Sequence, residues 1–388
     1  MVATDYIETT TTSVSAGILE DMPRLDYSGG ASCPSLLLEP QRANLITHSE
    51  YLANYPVNRG SVSSNAATSP EGVQNAASLV PTTDNGDHTI QSTNSLSATT
   101  YTISCFAKNN GNDISLTLAY NSSNWTGCIF DLVNGEAKTP QQRGSQSVCT
   151  ADIESYGDGW YRCSITATLW TAYAGWFTFV SLVNDADGSL GSSWGRQSFV
   201  GVPSETAYLY GLEIEQGSYP TSYIPTYGTS QTRSNDSCVA TSVSDVIGQT
   251  DGTMFFDVNI SRVVGNEAIG TINSGAYANH ATIQRVGNTI QFVRNSATQS
   301  GATIVTSATI TAGRYKLAIA YKSGDTACFL NGAQVSTTQT QTFTNATLNA
   351  VKIGTDAIGA LPISDSINQA LLFKTRLTNA ELAALTTI

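Results

Sequence analysis

Polar and apolar residues alternate with a period of two along most of the chain. Residues 100–107 (TYTISCFA), 114–120 (ISLTLAY), 159–167 (GWYRCSITA), 175–180 (GWFTFV) and 207–215 (AYLYGLEIE) all follow it. A strand points successive side chains to opposite faces, so each segment is expected to bury one face and leave the other to a different environment. Between them stand turn clusters at 84–87 (DNGD), 109–112 (NNGN) and 187–188 (DG). Short strands separated by such turns describe a sandwich or jelly roll. After residue 228 the alternation resumes at 253–260, 267–272, 280–286, 289–294, 315–321, 327–330 and 350–353, and Asn331-Gly332 supplies the positive φ of a tight hairpin turn. The clearest helix signal is terminal: Thr378 as N-cap, Glu381 three residues on, then Leu382 and Leu385, a short helix expected to close a sheet edge.

The predicted fold is therefore all-β, with two tandem antiparallel sandwiches behind an extended N-terminal segment. The proline-containing stretch 219–228 (YPTSYIPTYG) ends the first alternation. We accordingly expect a connector or attachment segment over 1–50, a jelly roll over 51–228 and a second sandwich over 229–388.

Composition narrows the function. Charged residues make up 12% of the chain, about half the usual share, as suits Thr- and Tyr-rich sheets more than helix surfaces. The net charge is −12 with no run of Lys or Arg, so neither a nucleic acid nor an anionic membrane surface is an expected partner. No stretch approaches the roughly 18 apolar residues that span a bilayer, and Met1-Val2-Ala3-Thr4-Asp5 lacks the basic and apolar regions of a secretory signal. The seven cysteines have no CxxC or zinc spacing, and Cys105 and Cys163 sit in apolar runs. They are read as reduced core residues of a protein made in a cytoplasm.

Three segments resemble recurring motifs of bacteriophage tail-fibre and related virion adhesin proteins: residues 36–45 (LLLEPQRANL), 158–162 (DGWYR) and 212–226 (LEIEQGSYPTSYIPT). In that group they frame a jelly roll similar to carbohydrate-binding modules. Residues 313–335 (GRYKLAIAYKSGDTACFLNGAQV) and 371–385 are similar to the laminin-G or concanavalin-like sandwich. The resemblance implies a virion component, assembled in the host bacterial cytoplasm, that contacts bacterial surface polysaccharide or other virion proteins, commonly as a homotrimer.

Sugar recognition requires a flat aromatic face for the C–H surface of the ring and amides or carboxylates for its hydroxyls. Trp125 and Trp194 lie in Ser/Asn/Gly-rich stretches that read as loops. With Trp170, Tyr173 and Asn124 they form the candidate glycan-binding set. Trp160 and Trp176 follow glycine at the head of a strand and are assigned to the core. Asn184-Asp185-Ala186-Asp187-Gly188 has the look of a calcium loop, which makes Asp185 and Asp187 candidate ligands of a structural Ca²⁺.

No enzymatic activity is expected. The three histidines are scattered, and HExxH, GxSxG and phosphate-binding glycine loops are missing. Glu213 and Glu215, two apart on a strand and roughly 6.5–7 Å from each other, overlap the carboxyl separation of glycosidases. Leu212 and Ile214 take the opposite face, so the glutamates read as a polar face turned to solvent or to the neighbouring domain. The ExDxxE strand of concanavalin-like glucanases does not occur. The alternatives to a glycan-binding virion protein are a purely structural or decoration protein, whose Thr-rich stretches 302–311 and 337–347 pack subunits, and a polysaccharide depolymerase using Glu213 and Glu215.

Overall fold

Strands account for nearly all the regular structure in the computed structural model, which describes residues 24–26, 34–236, 238–263, 265–275, 278–296, 303–344 and 347–388. Of the connector or attachment segment expected over 1–50, residues 1–23 and 27–33, Cys33 among them, lie outside the described residues. The chain forms two compact units, one containing residues 42–233 and the other residues 24–41 with 234–388.

The 42–233 unit is a jelly-roll sandwich. Its principal strands are β1 (Gly60–Ala67), β2 (Ala76–Pro81), β3 (Thr89–Leu96), β4 (Thr100–Asn110), β5 (Asp113–Asn121), β6 (Asn124–Asp131), β7 (Thr150–Gly157), β8 (Trp160–Thr168), β9 (Tyr173–Val183) and β10 (Thr206–Gln216). A front sheet runs β6-β5-β9-β3, extended by short strands at its margins, and a back sheet runs β7-β8-β4-β10-β2-β1. All of their pairings are antiparallel. The alternation seen in the sequence assigns the faces. Ile103, Cys105 and Ala107 of β4 meet Leu116 and Leu118 of β5 and Trp176, Val180 and Leu182 of β9 in one core. Trp160 and Trp176 are buried, as expected.

One register break shapes the back sheet. Between Tyr210 and Glu213, β10 carries an extra residue relative to β4, and Gly211 takes φ +61° there. A Cβ at Gly211 would press on the rings of Phe106 and Tyr223 at 3.1–3.2 Å, so glycine meets both the backbone and the packing requirement. The bulge resets the parity of the strand. Leu209, Leu212 and Ile214 all face the core, while Tyr210, Glu213 and Glu215 share the outer face.

The other unit is a second antiparallel sandwich. Its strands are β11 (Asp251–Ile260), β12 (Asn266–Asn273), β13 (His280–Val286), β14 (Thr289–Asn295), β15 (Thr303–Thr309), β16 (Gly313–Lys322), β17 (Ala327–Leu330), β18 (Ala350–Ile353) and β19 (Ser366–Phe373). One sheet contains β19-β11-β16-β17 and the other β18-β12-β13-β14-β15. Met254, Phe256, Ile283, Phe292, Leu317 and Ile319 lie in the core between them. Asn331 and Gly332 both have positive φ, as the hairpin requires. The helix α1 (Asn379–Thr386) carries the full capping box between Thr378 and Glu381. Its position differs from the sequence expectation. Leu382 packs on Phe255, Ala318, Ala320, Ala327 and Phe329, so α1 covers an outer sheet face as well as standing near an edge.

The stretch read as a connector takes part in both units. Ser35–Leu37 pairs with β19, whereas Arg42–Asn44 pairs with Gln231–Arg233 inside the jelly-roll unit. The anchor of the latter is Asn44, which is fully buried. Its amide donates to the Ile224 carbonyl at 2.8 Å and the Leu212 carbonyl at 3.4 Å. Its Oδ1 accepts from the Ile46 and Ile214 amides at 3.0 and 3.2 Å. Replacing Asn44 by Ala strands those backbone groups away from water, and we expect a loss of about 2–4 kcal/mol in stability. Urea denaturation would test this; an unchanged midpoint would show that the backbone groups find other partners.

Candidate functional site

The five tryptophans have different environments. Trp125, expected on a loop, is the second residue of β6 and only 3% exposed. Its side chain lies on the outer face of the front sheet, but the 184–198 loop crosses that face and seals it with Leu190 and Trp194. The indole Nε1 of Trp125 donates to the Ser192 carbonyl at 3.4 Å. Trp194 holds φ +63° and sets its ring edge-on to Phe177 and Phe179, with centroids 5.1 and 5.7 Å away. The Arg196 guanidinium stacks 4.6 Å over Phe179. Trp125 thus has no ring face left for a ligand, and Trp194 acts mainly as the clamp of this loop. Asn124 is engaged as well: its Oδ1 accepts from the Ser145 amide at 2.8 Å and its amide donates to Asn121 Oδ1 at 3.1 Å.

Trp170 and Tyr173 meet the expectation of exposure, at 46% and 43%. Both pack around Tyr120, with ring centroids 5.3 and 4.6 Å from it, and Trp176 supports Tyr120 from the core at 5.6 Å. The loop that carries Trp170 is tied down at several points. The Leu169 amide donates to the Thr99 carbonyl at 2.9 Å, the Gln146 amide to the Thr168 carbonyl at 2.9 Å and the Trp176 indole to the Thr171 carbonyl at 3.3 Å. The result is a fixed platform of aromatic rings at one end of the front sheet. Tyr120 escaped the sequence reading because it ends a regular strand, where an aromatic reads as packing; its place before the 121–124 turn was the only signal.

Glu213 and Glu215 do lie opposite Leu212 and Ile214, but not against solvent. Both are fully buried, because residues 219–226 fold back over them. Glu213 accepts from the Arg162 guanidinium at 3.0 Å and from the Ile224 amide at 3.2 Å. Glu215 accepts from the Thr221 amide at 2.7 Å and from the Thr221 hydroxyl. Burial pushes the Glu213 carboxyl well above the ordinary range, with Glu215 adding to the rise and Arg162 opposing it. The pair thus serves as a fastening for the 219–226 segment.

A second carboxyl pair, unforeseen in the sequence, is formed by Glu50 and Glu71. Glu50 Oε1 accepts from the hydroxyls of Tyr210, Tyr223 and Tyr227 at 3.2, 3.4 and 3.1 Å. Burial raises the Glu50 carboxyl and repulsion from Glu71 adds to it; burial raises Glu71 too. The half-exposed rings of Tyr51 and Tyr227 stand edge-on beside it, 6.1 Å apart.

At the candidate calcium loop, Asp185 Oδ1 accepts from the Asp187 amide at 3.2 Å, and Asp187 pairs with Lys138 at 3.2 Å. No third acidic or His/Cys side chain joins them among the described residues. By themselves these side chains do not fit a Ca²⁺ shell, which takes six to eight oxygens. The histidines stay apart: His48 bridges to Tyr227, His88 lies between the Arg59 and Phe199 carbonyls and His280 is buried in β13. The six described cysteines are free, and burial raises the Cys105 and Cys128 thiols to about 12.

No protein-family model matches the chain and no curated protein matches it. Among solved structures, slight similarities are found. The carbohydrate-binding module CBM40 of the Ruminococcus gnavus IT-sialidase aligns at 16% identity and TM-score 0.33, over 39% of this chain and 97% of that one. A K499G mutant of the NanB sialidase from Streptococcus pneumoniae aligns at 14% and 0.34, over 39% of this chain and 26% of that one. The heptameric SAP-like pentraxin from Limulus polyphemus aligns at 13% and 0.29, over 34% and 68%. Similarity this slight identifies no relative, and the architecture rests on the strand order itself.

The Glu50–Glu71 pair has a consequence for stability. Both carboxyls hold their protons more tightly in the folded chain than at their ordinary value of 4.5. Their contribution is therefore fully present below that value and lost as the pH rises through the folded values. Between pH 5 and pH 8 the wild-type protein should lose more stability than Glu50→Gln. Urea titrations at the two pH values test it, and parallel losses would show that the pair is not titrating.

Proposed function

We propose that the chain is a bacteriophage virion surface protein whose jelly-roll unit binds host cell-surface glycan without catalysing its cleavage. The observation that carries the binding half is the platform: Trp170 and Tyr173 remain open on a braced loop and are backed by Tyr120 and Trp176. Rings held in place in the unbound protein lose little freedom when a ligand stacks on them, so more of the contact energy is retained as affinity. The virion half rests on the motif resemblance of residues 36–45, 158–162 and 212–226. Homotrimeric assembly and contacts with other virion proteins belong to the same proposal.

One observation favours a purely structural role as the second reading. The edge strand β15 exposes Ile304, and it borders a groove of about 460 Å³ lined by Thr306, Thr309, Tyr315, Leu330 and Val335. An uncovered edge can pair with another chain. The depolymerase reading loses its named residues, since Glu213 and Glu215 are sealed from any substrate.

An array of bacterial surface polysaccharides separates these readings. We expect binding that falls at least tenfold in Trp170→Ala and in Tyr173→Ala and is unchanged in Tyr51→Ala, whose exposed ring lies outside the platform. Binding retained by the Trp170→Ala/Tyr173→Ala double variant would remove the proposed site. Failure to bind any glycan, together with a defined oligomer by light scattering, would favour the structural role.

A further inference from the structure

We infer that the Trp170–Tyr173 platform takes uncharged sugar residues and discriminates against sialylated or uronate-bearing ones. This rests on the glycan-binding reading and adds the substrate class. A stretch around Gln146 braces the platform, and three others build it: residues 89–107, 114–130 and 163–184. None of these three contains an Asp, Glu, Lys, Arg or His. The first supplies Leu96, in register with Tyr173, and the Thr99 carbonyl that ties the loop. The second supplies Tyr120, and the third Trp170, Tyr173 and Trp176. Their remaining side chains are mostly Ser, Thr, Asn and Gln or apolar, so hydroxyls can be met but a carboxylate finds no counter-charge there.

Five of the unit's cations are engaged by partners outside these three stretches. Residues 42–233 contain eight Lys and Arg against fifteen Asp and Glu. Arg59, Lys138, Arg162 and Arg196 form ion pairs with carboxylates, and Arg143 donates to the Ser192 carbonyl. The faces of aromatic rings carry negative potential, which attracts the slightly positive C–H face of a neutral sugar and repels an anion. The surplus of acidic residues repels an anionic glycan at longer range.

The test is a set of matched glycans, galactose-terminated and the same chains capped with sialic acid, measured at 50 and 500 mM NaCl. We expect the neutral member to bind, its capped partner to bind at least tenfold more weakly, and the neutral affinity to change less than twofold with salt. Arg143→Ala should leave neutral binding intact. Preference for the capped glycan, or a tenfold loss of neutral affinity in high salt, overturns the inference. If that acidic binding is itself abolished by Trp170→Ala, the glycan-binding reading survives without it. Binding of neither glycan class on a broad array overturns both.

Discussion

Two fully buried carboxylates on the outer face of a sheet impose the constraint that organises the jelly-roll unit. An ion in such a place requires a partner or a proton, and removing the partner of a buried pair costs about 3–5 kcal/mol. Glu213 and Glu215 therefore fix what must lie around them: Arg162 on the neighbouring but one strand, the Thr221 and Ile224 amides in the segment above, and Arg233 close enough to oppose the rise in their carboxyls. The Gly211 bulge makes this possible, because without its extra residue the glutamates would point into the apolar core. Asn44 completes the arrangement by bonding Leu212, Ile214 and Ile224 at once. Asn44, Arg162 and residues 212–226, drawn from the three segments of the virion resemblance, thus meet in one buried polar network. Their physical role is to close the domain, and it says little about what the domain binds.

This explains what could be read in advance and what could not. Period-two alternation reports which face of a strand a side chain occupies, so the sandwich class, the inward Leu212 and Ile214 and the core position of Trp176 were all legible; Trp160 is buried too, but on the outer face of the back sheet against Phe106 and Tyr210. It does not report what covers the other face. Trp125 is expected on a loop and Glu213 against solvent or the neighbouring domain, yet both are covered: the first by the distant 184–198 loop, the second by residues 219–226, which turn back over their own strand. The helix shows the same limit, since its capping box fixed where it starts while Phe255 and Phe329 determined where it lies. Trp170 and Tyr173 stay exposed because no segment among the described residues covers them.

The distribution of charge separates the closing network from the platform. In a chain with few charged residues, several of those in the jelly-roll unit are drawn into buried or partly buried pairs such as Arg162 with Glu213 and Arg196 with Asp87. The end that carries Tyr120, Trp170 and Tyr173 is left without them over three long runs of sequence. A surface of that kind offers stacking and neutral hydrogen bonds but no electrostatic attraction at a distance. On the glycan-binding reading, association is then unassisted by steering, and a single sugar on two or three rings has little area from which to draw affinity. Useful retention on a cell surface would come from many copies acting together, where each later contact forms at the high effective concentration created by the first. A repeated virion protein meets that condition, which joins the two halves of the proposed function: the weaker and less charge-dependent the individual site, the more its use depends on being displayed in multiple copies.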